Sequence, residues 1–473
     1  MSVDFRFKDG MHFHLVGIGG AGMSAIARVL LGRGFVVSGS DQKLNALTAV
    51  LQTQGATIYE GHRAEQIDGA DALVISSAVP DGNPEVDAAR AAGLPVLKRA
   101  DLLGHLMADT IGIAVAGSHG KTTTTGMIAQ ILLAAGLDPT VIVGGVLPVL
   151  GSNGRYGEGD YFVVEADEYD YMFLGLRPEV IVITSLEHDH PDIFPTEADY
   201  TAAFRQFAEL LPVDGRLIAC ADDPGTARFV ETLKLDGVEI TTYGVPEEEE
   251  TQLDVDFQAL DCRPNQLGGT DFLVEMDDQI VGLARLRVPG RHNVRNALAA
   301  IIVGLDLEID FAVIRQALAE FGGVGRRFQV VGEVGGVTVI DDYAHHPTEI
   351  RATLAAARQR YPGRRLWAVW QPHTFSRTKL LLDEFAASFA DADRVVALDI
   401  YRSRETDDLG ISTATVLQKM NHETAVYIPQ RKDAAAYILD RVRPDDVILT
   451  LGAGDGDMVG QWVLEGLKGR IKD

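Results

Sequence analysis

The stretch Ala114–Leu133, AVAGSHGKTTTTGMIAQILL, constrains this chain more than any other. The apolar run IGIAVA that leads into it reads as a buried strand. A glycine turn follows, and after Lys121 the apolar residues recur at helical spacing. Strand, glycine loop and a helix opening on Lys-Thr form a cradle for phosphate. Backbone N–H groups at a helix start point at anionic oxygens, and the helix dipole favours negative charge there. The loop is the short form GxxGKT, Gly117 to Thr122, with Val115 where the longer pattern wants a further glycine. Gly117, Ser118, His119, Gly120, Lys121, Thr122 and Thr123 are therefore assigned to a nucleoside triphosphate, ATP. Lys121 reaches its outer phosphates and Thr122 offers a hydroxyl to Mg2+. The competing reading is an ordinary strand-to-helix turn with a surface lysine. It leaves the agreement between the loop and its setting unexplained.

At 473 residues the chain is too long for one core, and roughly two to four domains are expected. Its formal net charge of −26 argues against a nucleic-acid partner, because phosphate backbones need a basic footprint. Cys220 and Cys262 show no metal-ligand spacing and fit a reducing compartment. No apolar stretch reaches membrane-span length, and MSVDFRFKDG has no signal-peptide core. The expectation is a soluble, cytoplasmic protein without membrane contact.

Upstream, a short strand His12–Val16 runs into Gly17, Gly19, Gly20 and Gly22, in a GxGxxG pattern. A helix, a strand Phe35–Ser38 and then Asp41 follow. This is a diphosphate-binding fingerprint with an acid placed for a ribose. NAD and a UDP-sugar fit it equally. The strand in ALVISSAVP ends in Ser76 and Ser77, which suit a ligand crevice or a plain turn. His62 reads as a base-edge contact or as a solvated loop histidine.

Beyond the phosphate loop, the strand Tyr161–Val164 ends in Glu165, with Asp167, Glu168 and Asp170 close behind. An acid at the end of a strand beside a phosphate loop is where Mg2+ is held in nucleotide enzymes. The run Val180–Ile183 empties into Glu187, His188, Asp189, His190 and Asp192, which read as a second Mg2+ site beside ATP. Glu247–Glu250 reads as a solvated loop. A helix opening at Asn293 brings Arg291, His292, Asn293 and Asn296 to its start, where polar side chains can bond a purine. The glycines at 322, 323 and 325 mark a hinge. The strand Val337–Ile340 then ends in Asp341 and Asp342, followed by Tyr343, His345 and His346. His373, Arg377 and Arg404 all follow strand ends and can grip a carboxylate or phosphate. The β-α alternation predicts a parallel sheet with ligands at its carboxyl edge.

GIGGAGMSAIA with SGSD, GSHGKTTTT, VVEADEYD, EHDHPD, GRHNVRNALAA, GRRFQ, DDYAHHPTEI, QPHTFSRTK and LGAGDGD run in one order. In these motifs, over nearly its whole length, the chain resembles the Mur ligases. GIGGAGMS and DDYAHHPTEI look more like the branch that adds L-alanine than the branch that recycles a whole peptide. The resemblance implies an α/β chain of three domains: a Rossmann-like UDP-sugar domain (1–108), a central P-loop ATPase-like domain with a mainly parallel sheet (109–323), and a C-terminal Rossmann-like domain for the amino acid (324–473). It implies ATP-driven activation of the lactyl carboxylate of UDP-N-acetylmuramate as an acyl phosphate. Attack by the amino group of L-alanine then gives amide, ADP and phosphate. This chemistry serves peptidoglycan synthesis, and with it cell shape and division.

By motif position, Thr122, Glu165 and His190 resemble the family's metal site, Asn293 its adenine contact, and Arg327 and Asp342 its reach to ATP from the third domain. Tyr343, His345 and Arg377 resemble the amino-acid and intermediate site, with Lys121, Glu165, His190, His345 and Arg377 as the catalytic set. Gly17, Gly19, Gly20, Gly22, Asp41, His62, Ser76 and Ser77 fall to the UDP-sugar. Phe204 stands where several members carry a carbamylated lysine, so no carbamate is expected, and Thr374 replaces an arginine found in some members. A monomer or homodimer is expected. A dinucleotide oxidoreductase and a non-catalytic nucleotide sensor are the readings from other classes. The first gives no role to GSHGKT.

Overall fold

The computed structural model describes residues 6–233, 238–246 and 254–472. The acidic run Glu247–Glu250 lies outside the described residues. Short apolar runs alternating with helices build three sheets among the described residues, as parallel strands joined by crossover helices require.

The first sheet is wholly parallel, in the order β3-β2-β1-β4-β5. Its strands are β1 (His12–Val16), β2 (Val36–Asp41), β3 (Thr57–Glu60), β4 (Ala72–Ile75) and β5 (Val96–Lys98). The chain reverses its direction of growth between β1 and β4, which opens a crevice at their carboxyl ends. The glycine loop and Ser76 lie there. β2 runs three residues past the expected end at Ser38, because Ser38 to Asp41 pair with Thr57 to Glu60 of β3.

The second sheet holds ten strands in the order β15-β14-β13-β12-β11-β10-β6-β9-β7-β8. These are β6 (Ile111–Ala116), β7 (Thr140–Leu147), β8 (Ser152–Arg155), β9 (Tyr161–Glu165), β10 (Val180–Ile183), β11 (Arg216–Cys220), β12 (Glu239–Gly244), β13 (Phe257–Pro264), β14 (Thr270–Met276) and β15 (Gln279–Arg285). The centre is parallel, while β13–β14–β15 and β7–β8 are antiparallel borders that the sequence did not reveal. β6 lies between β10 and β9, with Ala116 opposite Ile183 and Val115 opposite Glu165. The phosphate loop and Glu165 thus leave the sheet side by side.

The third sheet runs β16-β17-β21-β18-β19-β20. Its strands are β16 (Gln329–Val334), β17 (Val337–Asp342), β18 (Arg365–Trp370), β19 (Arg394–Ala397), β20 (Ala425–Tyr427) and β21 (Asp446–Leu451), all parallel except the border strand β16. Trp370 anchors the core on one face and Trp367 the core on the other, as the alternation of a strand demands.

The first two units share a core. Phe13, Leu30, Leu102 and Leu106 pack in one cluster with Phe162, Phe173, Phe204 and Phe207. Each such buried side chain contributes on the order of 2 kcal/mol. The hairpin β7–β8 also lies on the helix Ala21–Gly32. Asn153 Nδ2 donates to Ala21 O at 2.7 Å, and a Cβ on Gly154 would sit 2.6 Å from Ala25 O. Among the described residues, no helix is long and apolar enough to cross a membrane.

Candidate active site

Two glycines shape the loop between β6 and the helix Lys121–Ala134: Gly117 at φ +134° and Gly120 at φ +83°. Added side chains there would strike Thr184 and Asn296. The backbone therefore comes close to its surroundings: Ser118 N and His119 N donate to Ser185, each at 3.0 Å, and the start of the helix faces an anion with its dipole. Lys121 Nζ donates to Gly117 O and to Glu168, 3.0 Å from Oε2. Glu168 has no exposed surface, and its Oε1 accepts from Tyr200 OH at 3.3 Å. Burial opposes the charge on Lys121, but Glu168, Asp167 and Glu165 outweigh it and raise the lysine above its ordinary value.

Thr122 Oγ1 donates to Glu165 Oε1 at 2.9 Å, and Gly144 N donates to Oε2 at 2.6 Å. A hydroxyl oxygen beside a carboxylate is the hard oxygen set that Mg2+ prefers, so these residues fit the implied ion. His190 stands near, its Nε2 3.6 Å from Glu168 Oε1.

The acid-histidine run beyond β10 does not form the second Mg2+ site expected of it. His190 lies at φ +54°, and successive side chains fan apart. His188 Nε2 lies 2.7 Å from Phe194 O, Asp189 pairs with Arg377, and Asp192 accepts from Tyr169 OH at 3.0 Å. Glu187 turns to the phosphate loop, with Oε2 2.8 Å from His119 Nε2. His119, Glu187 and His346 are the one group of ligand-type side chains close enough to hold a metal among the described residues. At 2.8 Å, however, His119 and Glu187 share a proton and not an ion.

His119 is in fact held between two carboxylates. Its Nδ1 lies 3.4 Å from Glu349 Oε1, on the first turn of the helix Pro347–Arg360. Burial works against the charged ring, but the hydrogen bonds and charges of Glu187 and Glu349 raise it to about 9. Thr348 Oγ1 donates to Glu187 Oε1 at 3.0 Å, closing a clasp between the second and third units.

Behind the loop lies a cavity of about 170 Å³, lined by Gly120, Thr123, His292, Asn293, Arg327 and Asp342. Its helix, Arg291–Asp306, opens two residues earlier than expected, after Gly290 at φ +94°. Asn293 Nδ2 donates to Pro289 O at 2.7 Å, which fixes the amide at the cavity wall. His292 is pushed down to about 4, chiefly by burial and then by Arg295, so its ring is neutral. Burial also lifts Asp342 to about 6, against the Arg327 charge and the N–H groups of Phe328 and Ala344.

A second cavity, of about 540 Å³, joins all three units. The first contributes Gly20, Gly22, Ser76 and Ser77, the second Glu165 and His190, and the third Tyr343 and Arg377. Arg377 and Asp189 are both buried. His345 lies just behind, its ring 5.3 Å from Tyr343 and 5.9 Å from His373, and burial takes it down to about 3. Thr374, at φ +67°, caps the helix that carries Arg377. Phe204 is buried against Phe173 and Tyr200, away from this space.

Gly17 and Gly19 turn inward: Gly17 N donates to Ser40 O at 2.8 Å, and Gly19 N to Asp41 Oδ2 at 2.9 Å. Asp41 therefore fastens the loop. Of the two readings of His62, the solvated loop histidine does not hold, because its Nδ1 lies 2.9 Å from both Ser40 Oγ and Glu85 Oε2. Sequence reasoning missed Arg99, whose Nη2 lies 2.8 Å from Asp167 and whose guanidinium fills the space above Gly22. A basic residue one step past β5 was the available signal. It missed Glu168 as the Lys121 counterion, for which no local pattern exists.

Three family models match in succession: "Mur ligase family, catalytic domain" over residues 12–110, "Mur ligase middle domain" over 115–304, and "Mur ligase, glutamate ligase domain" over 326–454. The UDP-N-acetylmuramate–L-alanine ligase of Salinibacter ruber is 47% identical over 93% of this chain and 92% of its own. That of a Roseiflexus species is 46% identical over 97% and 99%. Among solved structures, the UDP-N-acetylmuramate–alanine ligase of Thermotoga maritima superposes with a TM-score of 0.81 at 28% identity, covering 97% of this chain and 100% of that one. A murein peptide ligase of Psychrobacter arcticus follows at 0.72 and 26%, covering 97% and 99%. Matched by three successive family models and by relatives 46–47% identical over nearly its whole length, this chain belongs to the Mur ligase family.

Proposed function

We propose that the chain joins L-alanine to the lactyl carboxylate of UDP-N-acetylmuramate, with ATP converted to ADP and phosphate, as a cytoplasmic step of peptidoglycan synthesis. The carrying observation is the 540 Å³ cavity, where the diphosphate-type loop meets Glu165, His190 and Arg377. The curated relatives at 46–47% identity support the choice of alanine as acceptor. In this reading residues 1–108 hold the UDP-sugar, 109–323 the ATP and 324–473 the amino acid.

The chemistry must bring two anions together, so the site needs positive charge fixed in advance. ATP lies with its base at Asn293 and its phosphates over Gly117–Thr123, with Arg327 and Asp342 reaching it from the third unit. Lys121 exchanges Glu168 for the outer phosphates and steadies charge as the γ-phosphoryl group moves to the carboxylate. Thr122, Glu165 and His190 would hold Mg2+, which supplies charge neutralisation at the phosphoryl oxygens. Gly20, Gly22, Ser76 and Ser77 hold the sugar nucleotide. Arg377 holds the amino-acid carboxylate, and Tyr343 and His345 line the approach of its amine. His345 is held neutral near pH 7 by burial, so it meets the amine as an uncharged hydrogen-bonding ring and not as a base.

The test is ADP release with UDP-N-acetylmuramate and each acceptor. L-Alanine is expected to support turnover. A tripeptide acting in its place would favour the recycling reaction, and NAD binding without turnover would remove the ligase reading.

A further inference from the structure

We propose that Glu85, a residue to which no motif pointed, is a positioning residue that sets the base preference of the sugar-nucleotide site by fixing which nitrogen of His62 carries a proton; the proposal rests on the reading of that site given above. The two side chains end a buried chain of hydrogen bonds under the first sheet. His12 Nδ1 lies 3.0 Å from Gly69 O, and its Nε2 lies 2.7 Å from Ser38 Oγ. Ser38 Oγ lies 2.8 Å from His14 Nδ1, and His14 Nε2 lies 3.2 Å from Glu85 Oε1. Neither His14 nor Glu85 has exposed surface. Glu85 Oε2 accepts from Ser40 Oγ at 2.6 Å and lies 2.9 Å from His62 Nδ1.

A carbonyl oxygen and a carboxylate only accept, so His12 Nδ1 donates to Gly69 O and His14 Nε2 to Glu85 Oε1. Burial alone would raise the Glu85 carboxyl, but the hydrogen bonds from His14, Ser40 and His62 outweigh it and keep Glu85 an anion.

The far end of the chain then has one solution. The Ser40 proton goes to Glu85. His62 Nδ1 faces two acceptors, the serine oxygen at 2.9 Å and the carboxylate, so the proton of the ring sits on Nδ1. With the ring proton on Nδ1, the lone-pair position of the ring is Nε2. Among the described residues no bond to Nε2 is recorded, and His62 is partly exposed.

Position supplies the ligand. Along the carboxyl edge, the glycine loop follows β1, Asp41 ends β2, and Gly61–His62 follow β3, with Gly61 N donating to Asp41 O at 2.8 Å. Diphosphate, ribose and base fall in that order along such an edge. An acceptor at the base takes the imide N–H of uracil. Cytosine presents a lone pair at the same ring position, and two lone pairs repel.

The experiment uses the full chain and compares UDP with CDP as inhibitors of alanine-dependent ADP release. The wild type is expected to prefer UDP by roughly tenfold or more, the worth of one well-made hydrogen bond. In Glu85→Gln the amide can donate to Nδ1 and move the ring proton to Nε2. Preference then falls to within about threefold, and the change appears in KM for UDP-N-acetylmuramate and not in kcat. His62→Gln, which keeps the Ser40 and His14 bonds to Glu85, is the second variant and decides the matter where Glu85→Gln shows no cooperative unfolding. A folded variant of either kind that keeps the wild-type preference overturns the proposal, as does a wild type that binds CDP as well as UDP. A wild type inactive with UDP-N-acetylmuramate would instead sink the reading of the site.

Discussion

Arg377 Nε and Nη2 lie 2.9 and 2.8 Å from one oxygen of Asp189, and both side chains are buried where the third unit meets the second. The pair couples the end of β10 to the strand-helix turn after β18. Removing one partner of a buried pair strands the other, at a cost of about 3–5 kcal/mol. Arg377→Ala is expected to cost that much, and Arg377→Ala with Asp189→Ala less than the sum of the two. Thermal unfolding in a double-mutant cycle measures the coupling. Strictly additive losses would show that the pair does no work across the junction.

Lys121→Ala is expected to lower ADP release by a factor of about 10² or more, the scale of one preorganised charge contact. The same change leaves Glu168 buried without its cation, so the midpoint of unfolding also falls. Adding Glu168→Gln is expected to restore the midpoint but not the turnover. Recovery of turnover in the double variant would place the effect of Lys121 in folding alone.

The clasp at His119 carries a definite pH signature. Its folded value, about 9, lies above the ordinary 6.5. A raised cationic group contributes stability that is complete below about pH 6.5 and is lost as pH rises through about 9. Unfolding midpoints between pH 6 and 10 are expected to fall in that window, and His119→Gln to flatten the decline. An equal decline in the variant would assign it to another group.

Glu165→Gln is expected to raise the Mg2+ concentration for half-maximal ADP release by at least about tenfold, since even the outer partners of metal ligands are worth that much. A magnesium titration of the wild type and variant checks it. Superimposed curves would remove Glu165 from the metal site.

Gly154→Ala places a methyl group against Ala25 backbone atoms, at 2.6 Å from the carbonyl oxygen. Overpacking of this kind costs about 1–3 kcal/mol. The expected outcome is a lower unfolding midpoint with a higher KM for UDP-N-acetylmuramate, because the helix that is displaced begins at the glycine loop. An unchanged midpoint would mean that the hairpin gives way freely.

What the sequence made legible lies within single strand-loop-helix passages. The Gly117–Thr122 loop, Glu165 at the end of β9 and Asp342 at the end of β17 all follow from local pattern, because a parallel sheet delivers each strand end to the same edge. Pairings across the chain left no such trace. Arg377 meets Asp189 from 188 positions away, and His119 is clasped by Glu349 of another unit. The run EHDHPD misled because close spacing in an irregular loop does not mean convergence: a left-handed His190 sends neighbouring side chains to different partners. The antiparallel borders of the middle sheet were hidden for another reason. β15 exposes much of both faces, so it lacks the alternation that marks a strand.

The core common to the first two units has a mechanical consequence. Greasy contact surfaces resist shear, and the Asn153 hairpin adds a second point of attachment, so these units travel as a single rigid half. The facing half is held to it at Arg377, Thr348 and His119 by charges and hydrogen bonds, which water and salt can replace. The chain is thus built as two unequal halves, with both glycine loops on the larger and Arg377 brought to them by the smaller.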